Sequence, residues 1–345
     1  MKAVRIHHHG GVAQLRFEEA ADPELQAPHD VIVRLKAAAL NGSDRGMRQG
    51  RGAGLSCLPR IPGSDGAGVV AAVGSAVGDL KAGDAVCLYP QSGCGACRPC
   101  RSGRQALCEQ PHLLGETVHG TFAEYIRLGA LDCFPLPAEF SYEQGAAIAV
   151  DFLRAWRMLI TNAELKPGEL ILIRGIGDGV AIAALQLALR LGAHAIVTAD
   201  SPAKIAQAKA LGAAHGIDEQ REDFPPAVRR LTAKHGADVV VDCIGGKNWP
   251  KSLAALARDG RLVTCGASAG AQPVTDLRRI FWHHLKVFGS SLGSRDEMRQ
   301  VLNFLASTGT KPVIDKVFPL AQAALAQQRL AAGQHFGKIV LHVDG

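Results

Sequence analysis

Hydrophobic positions along this chain follow two rhythms. Near the N-terminus they alternate: Val31, Val33 and Leu35 are set against Arg34 and Lys36, which predicts a strand over Asp30 to Leu35 with one face buried. Met1 to Ile6, the glycine-rich run from Ile61 to Gly74, and Asp84 to Tyr89 continue as short strands. Glycine and proline punctuate them, and together they predict an irregular β domain, a partly open barrel. Past Lys166, Pro167 and Gly168 the rhythm changes to solid apolar runs separated by helical stretches. Strands are expected at Leu170 to Ile173, Ala195 to Thr198, Gly216 to Asp218, Ala237 to Cys243, Gly260 to Gly266 and Lys286 to Leu292. Helices are expected at Tyr142 to Ile160, Val180 to Leu191, Lys204 to Leu211, Ala227 to Lys234 and Trp249 to Ala257. Such alternation implies a parallel sheet covered on both faces. The last segment, Met298 to Val343, reads as two helices and a strand at Lys338 to Leu341 that returns to the first domain.

The stretch from Glu169 to Asp200 carries the clearest chemistry. Between its two strands lie Gly175, Gly177 and Gly179, then a helix opening at Val180. Glycines allow a sharp turn and a close backbone approach to a pyrophosphate, and the helix N-terminus offers unpaired N–H groups and a positive dipole end. An acidic side chain after the second strand, Asp200, can accept hydrogen bonds from a ribose diol. These features predict a dinucleotide site. Asp178 sits inside the loop, where its charge opposes a pyrophosphate; it is expected to cap the helix with its carboxylate turned away.

Composition narrows the class. The 345 residues suffice for two domains; 47% are hydrophobic and 20% charged, as in a soluble globular enzyme. The net charge of +6 is scattered and aromatics are scarce at 5%, so neither a nucleic-acid stripe nor a base-stacking surface is expected. No apolar run reaches a membrane span and the first residues lack a signal-peptide pattern, so no membrane partner is expected and the cytoplasm is the expected location. His7, His8 and His9 read as a solvated turn before Gly10.

The nine cysteines add a metal. Cys94, Cys97, Cys100 and Cys108 follow a C-x2-C-x2-C-x7-C spacing, which suits one tetrahedral zinc. Four sulfur ligands leave no place for water or substrate, so the site is structural. Cys57, Cys87, Cys133, Cys243 and Cys265 show no partner spacing and read mostly as small buried residues, with Cys57 open to a second reading as a cleft thiol.

With these motifs in place the chain resembles the medium-chain dehydrogenase/reductase superfamily over nearly its whole length. The resemblance rests on Pro62 to Val70, Gly83 to Val86, the four-cysteine lobe, Gly120 to Tyr125, the nucleotide unit and the closing Phe336 to Val340. It implies an α/β protein: a GroES-like β-barrel catalytic domain (1–150 and 290–345, with the zinc lobe at 93–108) and a Rossmann doubly wound parallel sheet (151–289), with the active site in the cleft between them. It implies a homodimer or homotetramer, built through the edge strand near Lys286 to Leu292. It also implies NAD or NADP contacts from Gly175, Gly177, Gly179, Val180, Asp200, Ser201 and Lys204, with Cys265, Gly266, Ser291 and Leu292 packing the nicotinamide. Counted back from Lys204, the family's acidic position falls on Ala199, so the choice between NAD and NADP stays open.

The departures from the family shape the expected chemistry. Zinc alcohol dehydrogenases carry Cys where this chain has Asn41 and Gly-His-Glu where it has Gly63, Ser64 and Asp65; their third ligand falls near Val150 or Asp151. Asn and Ser are poor zinc ligands, so a catalytic zinc is not expected. The tyrosine that some zinc-free quinone oxidoreductases place a few residues after the asparagine is Gly46 here. Asn41 and Ser43 are the candidate oxyanion donors and His119 the candidate proton relay. Each has a structural alternative: Asn41 as a turn residue, Ser43 as a cap for a helix beginning at Asp44, His119 as a surface residue. The expected activity is reduction of an activated double bond or quinone in a small-molecule substrate, by NAD(P)H and with one structural zinc. The alternatives are an alcohol dehydrogenase or carbonyl reductase that keeps a catalytic zinc, and a nucleotide-binding redox sensor that turns nothing over.

Overall fold

A computed structural model describes residues 1–51 and 58–343. It divides into two compact units: Met1–Val150 with Ser294–Gly345, and Asp151–Gly293. No helix among the described residues is long and apolar enough to cross a membrane.

The first unit is built on a seven-stranded sheet around Asp30–Ala39. This strand pairs antiparallel with Asp65–Val73 along most of its length, with Tyr125–Gly129 over residues 30–34 and with Lys338–His342 over residues 37–39. The alternation of Val31, Val33 and Leu35 points them into one core, where Phe122, Leu88, Ile339 and Leu341 are also fully buried. The C-terminal segment contributes two strands, Ile314–Pro319 and Lys338–His342, paired in parallel. The sequence pattern shows only the second, because Asp315 and Lys316 interrupt the apolar run of the first. The hairpin of Lys2–Ile6 and Leu15–Glu19 forms a separate small sheet.

The second unit carries six parallel strands: Leu170–Ile173, His194–Ala199, His215–Asp218, Ala237–Val241, Leu256–Thr264 and Lys286–Gly289. Numbered along the chain, their order is three-two-one-four-five-six. That order reverses between the first strand and the fourth, the place where doubly wound sheets bind dinucleotides. The residues of the first strand, Ile171 to Ile173, are fully buried, as its uninterrupted apolar run requires.

Several boundaries differ from the expected ones. The helix expected from Ala227 runs Phe224–Leu231, because Pro225 sits comfortably in a first turn whose N–H needs no partner. The strand expected from Gly260 begins at Leu256, directly after the helix Trp249–Ala255. The long helix expected from Tyr142 to Ile160 is three pieces, Tyr142–Ala146, Ala149–Trp156 and a wider π turn at Arg157–Asn162.

Candidate functional site

The glycine loop is fixed by its neighbours. Gly175 and Gly177 adopt φ of 66° and 136°, conformations that a side chain would strain. The Gly175 N–H donates to Thr198 Oγ1 at 3.0 Å and the Ile176 N–H to the Thr198 carbonyl at 2.7 Å, which ties the loop to the second strand. A Cβ on Gly179 would fall 1.8 Å from the Asp151 carboxylate, so the helix Gly179–Arg190 starts on a bare backbone. Val180 is buried in its first turn. Asp178 takes the cap position by backbone, but its side chain makes no cap hydrogen bond and is exposed. The expected side-chain cap is therefore absent. The first N–H groups remain available to a pyrophosphate, with the Asp178 charge nearby opposing it.

Beneath the loop lies a charged network that the sequence reading missed. Arg174 and Asp242, the residues that follow the first and fourth strands, are both buried and pair at 2.8 Å. Asp242 also accepts from Ser252 Oγ at 2.6 Å and from the N–H groups of Ile244 and Gly245 at 3.0 Å. Arg174 stacks 4.9 Å from the Phe224 ring centroid. A charge directly after an apolar strand was the available signal for both residues.

At the second strand's end, Asp200 is exposed and binds Lys204 at 3.0 Å, while Ser201 caps the helix Pro202–Ala210 by backbone position. Cys265 and Gly266 follow the fifth strand, where a Cβ on Gly266 would meet the Cys243 carbonyl at 2.8 Å. Ser291 and Leu292 follow the sixth strand, Ser291 exposed and Leu292 buried. All eleven nucleotide candidates thus lie on the carboxyl side of the parallel strands, and their loop and helix terminus suit a dinucleotide.

In the first unit, Asn41, Ser64, Asp65 and Lys338 converge. Lys338 Nζ donates to Asn41 Oδ1 at 2.7 Å and lies 2.8 Å from Asp65 Oδ2. Asn41 Nδ2 donates to Asp65 Oδ2 at 2.9 Å and to Ser64 Oγ at 3.1 Å. The Val150 N–H donates to Asp65 Oδ1 at 2.8 Å. The amide orientation is forced: an ammonium can only donate and a carboxylate can only accept. Both Asn41 amide hydrogens are therefore spent internally, against the expectation that Asn41 donates to an oxyanion. Ser64 accepts one of them, which leaves its own O–H to donate. Sequence reading missed Lys338; its signal was a lysine opening an apolar strand.

Ser43 lies half-buried on the first turn of the helix Gly42–Arg48 and does not cap it. The cap position belongs to Asn41, whose N–H donates to Asp44 Oδ2 at 2.7 Å. Asp44 also accepts from the Gly63 N–H at 3.2 Å, and its burial pushes its pKa up to about 7. His119 Nδ1 accepts from the Ile61 N–H at 3.2 Å. Burial, then Arg60 and Arg5, lower its pKa. A backbone N–H can only donate, so Nδ1 is the acceptor and the neutral ring carries its proton on Nε2. Cys57 lies outside the described residues.

The four lobe cysteines bring their sulfurs within 4.8 Å of one another. Cys97 Sγ and Cys108 Sγ are 3.8 Å apart, the edge of a tetrahedron with zinc–sulfur bonds of about 2.3 Å. Backbone N–H groups point at the sulfurs: Cys94 N and Gln110 N to Cys108 Sγ, and Cys97 N to Cys94 Sγ. The N–H groups of Cys97 and Ala96 lower the Cys94 pKa to about 6, while burial pushes Cys100 up to about 12. The lobe fits a zinc held by Cys94, Cys97, Cys100 and Cys108, and no other such group of His, Cys, Asp or Glu side chains exists among the described residues.

Residues 27–138 match the family described as alcohol dehydrogenase GroES-like domain, and residues 179–307 the zinc-binding dehydrogenase family. The chain is 33% identical over 341 residues, 97% of its length and 96% of the other's, to a zinc-type alcohol dehydrogenase-like protein of Schizosaccharomyces pombe. The chain belongs to the medium-chain dehydrogenase/reductase superfamily. Human quinone oxidoreductase matches at 26% identity over 99% of this chain and 97% of that protein. A crystal structure of an NAD-dependent alcohol dehydrogenase superposes with a TM-score of 0.96 at 39% identity, covering 100% of both chains. As a member of this superfamily the chain is an NAD(P)-dependent oxidoreductase with a GroES-like unit and a Rossmann unit. Asn41, Ser64 and Asp65, the positions that the resemblance sets against the zinc ligands of alcohol dehydrogenases, form one hydrogen-bonded group whose carboxylate is bound to the Lys338 ammonium.

Proposed function

We propose that this protein is an NAD(P)H-dependent reductase of an activated double bond or quinone that works without a catalytic zinc. The observation that carries this reading is the Lys338 ammonium, 2.8 Å from Asp65 and 2.7 Å from Asn41. A divalent cation there would face a bound cation, a carboxamide and a hydroxyl, which is a poor ligand set for zinc.

A dinucleotide held by its pyrophosphate at the glycine loop would supply a hydride from its nicotinamide. The chain's own residues do the rest. Lys338 fixes the Asn41 carboxamide, Asn41 fixes Ser64 Oγ, and the Ser64 O–H donates to the substrate oxygen as negative charge develops there. Ser43 is the second hydroxyl available in this unit. A zinc held by Cys94, Cys97, Cys100 and Cys108 would only brace the lobe. The Rossmann unit's edge strand Lys286–Gly289 and the neighbouring helix Leu277–Trp282 expose Val287, Phe281 and Trp282, which suits pairing with a second copy of this chain.

The test measures NADH and NADPH oxidation against enones, quinones and aldehydes, beside metal analysis. The expected result is turnover of an enone or quinone with one zinc per chain, and a kcat about 10²-fold lower in Ser64→Ala. Two zincs per chain, with alcohol or aldehyde turnover lost on chelation, would overturn the reading. No turnover of any substrate would favour a nucleotide sensor.

A further inference from the structure

The register of the Rossmann sheet brings two cysteines together that the sequence leaves apart. The fourth and fifth strands pair in parallel as Val239 with Arg261, Val240 with Leu262 and Val241 with Val263. Carried two residues further, that register sets Cys243 opposite Cys265, on the face of the sheet that Val241 and Val263 share. Adjacent strands lie about 4.8 Å apart, within the Cα separation that a disulfide spans. The two Sγ atoms are 3.0 Å apart. That is closer than the 3.8 Å between Cys97 and Cys108, whose spacing suits sulfurs sharing one ion. No His, Asp, Glu or further Cys among the described residues joins the pair as a third ligand.

We propose that Cys243 and Cys265 form a reversible dithiol/disulfide site, oxidised by a peroxide, that links the ends of the fourth and fifth strands covalently. The site is independent of the substrate reading above. Both thiols are half-buried, and the segment 266–270 beside Cys265 is exposed, which gives a small oxidant access. The roles of the two sulfurs differ. The hydrogen bond from Cys243 lowers the Cys265 pKa and raises that of Cys243, so Cys265 is the more readily ionised thiol of the two.

The chemistry balances with peroxide as the two-electron oxidant. Cys265 Sγ attacks one peroxide oxygen, the O–O bond breaks, and hydroxide leaves, giving a sulfenic acid. Cys243 Sγ then attacks the Cys265 sulfur and the S–O bond breaks. The departing hydroxide takes the Cys243 proton and leaves as water. The first hydroxide takes up the proton that Cys265 gave up on ionising, so two thiols and one peroxide become one disulfide and two waters.

The test uses the zinc-loaded full-length protein exposed to hydrogen peroxide, quenched by alkylation and digested with trypsin without reductant. The expected product joins the peptide of residues 235–247 to that of residues 262–278, with the loss of two hydrogens, and dithiothreitol reverses it. It should form about tenfold faster than Cys87 or Cys133 is oxidised, since both are buried and burial pushes both thiols well above the usual thiol range. In Cys243→Ser, Cys265 should stop at a sulfenic acid that dimedone captures; in Cys265→Ser, Cys243 should stay reduced. The proposal is overturned if both thiols still alkylate once the four-cysteine lobe has begun to lose zinc, or if Cys265 passes to sulfinic acid in the wild type without the cross-linked peptide.

Discussion

Replacing Lys338 by methionine removes the ammonium and keeps the stem's volume. Asp65 is then left with 0% exposure and two neutral donors, Asn41 Nδ2 and the Val150 N–H. At 2.8 Å the lost attraction is about 6 kcal/mol at an effective dielectric constant near 20, partly offset because the ammonium no longer has to be desolvated. Breaking one side of a buried pair costs about 3–5 kcal/mol, and that is the expected loss in a urea unfolding curve. Adding Asp65→Asn removes the orphaned charge and frees the Asn41 amide to turn over, so the double variant should recover about 2 kcal/mol. A thermal scan and the zinc content of each variant complete the measurement. The reasoning is refuted if Lys338→Met stays within about 1 kcal/mol of wild type, or if the double variant is no more stable than the single one.

Three further outcomes follow from the same geometry. Chelation of a zinc at the four-cysteine lobe should lower stability by about 4 kcal/mol where free zinc had stood a thousandfold above its dissociation constant, and Cys97→Ser should abolish that difference, read by denaturation with and without chelator. Asp44 titrates at about 7 in the folded chain against 3.8 unfolded, so the folded form holds its proton longer. Its stabilising contribution is complete below pH 4 and falls away as the pH rises to about 7; wild type should lose about 4 kcal/mol relative to Asp44→Asn across that window in paired unfolding curves. Lys204→Ala should shift the NADPH to NADH ratio of kcat/KM about tenfold toward NADH, and Asp200→Ala about tenfold the other way, since each side chain now holds the other's charge.

The elements that the sequence showed are those whose signal is local. The glycine loop has its strand before it and its helix after it, and the four lobe cysteines lie within a single short segment. The elements it hid are pairings across the chain. Lys338 meets Asn41 over a separation of 297 residues, and Arg174 meets Asp242 over 68. A lysine that opens an apolar strand says that it needs a partner, but not which one. Ile314–Pro319 was hidden for another reason: an edge strand with half its residues exposed carries no clean alternation. Cys243 and Cys265 were judged by their spacing in sequence, whereas the parallel register, a property of the folded sheet, is what pairs them.

The departures at Asn41 and Ser64 were legible in the sequence, and the structure joins both residues to Asp65 and Lys338 in one hydrogen-bonded group. The Lys338 ammonium is bound to Asp65 and Asn41, so on the proposed function the Ser64 hydroxyl, a neutral donor, would face the substrate oxygen. That has a chemical consequence. An alkoxide concentrates its charge on one oxygen and calls for a metal or a full positive charge beside it. An enolate or a hydroquinone anion spreads its charge into carbon or a ring, and one preorganised hydrogen bond goes further toward holding it. On the proposed function the polar network should therefore favour conjugated acceptors over simple aldehydes, and the ratio of kcat/KM for an enone against the saturated aldehyde of the same length measures that preference directly.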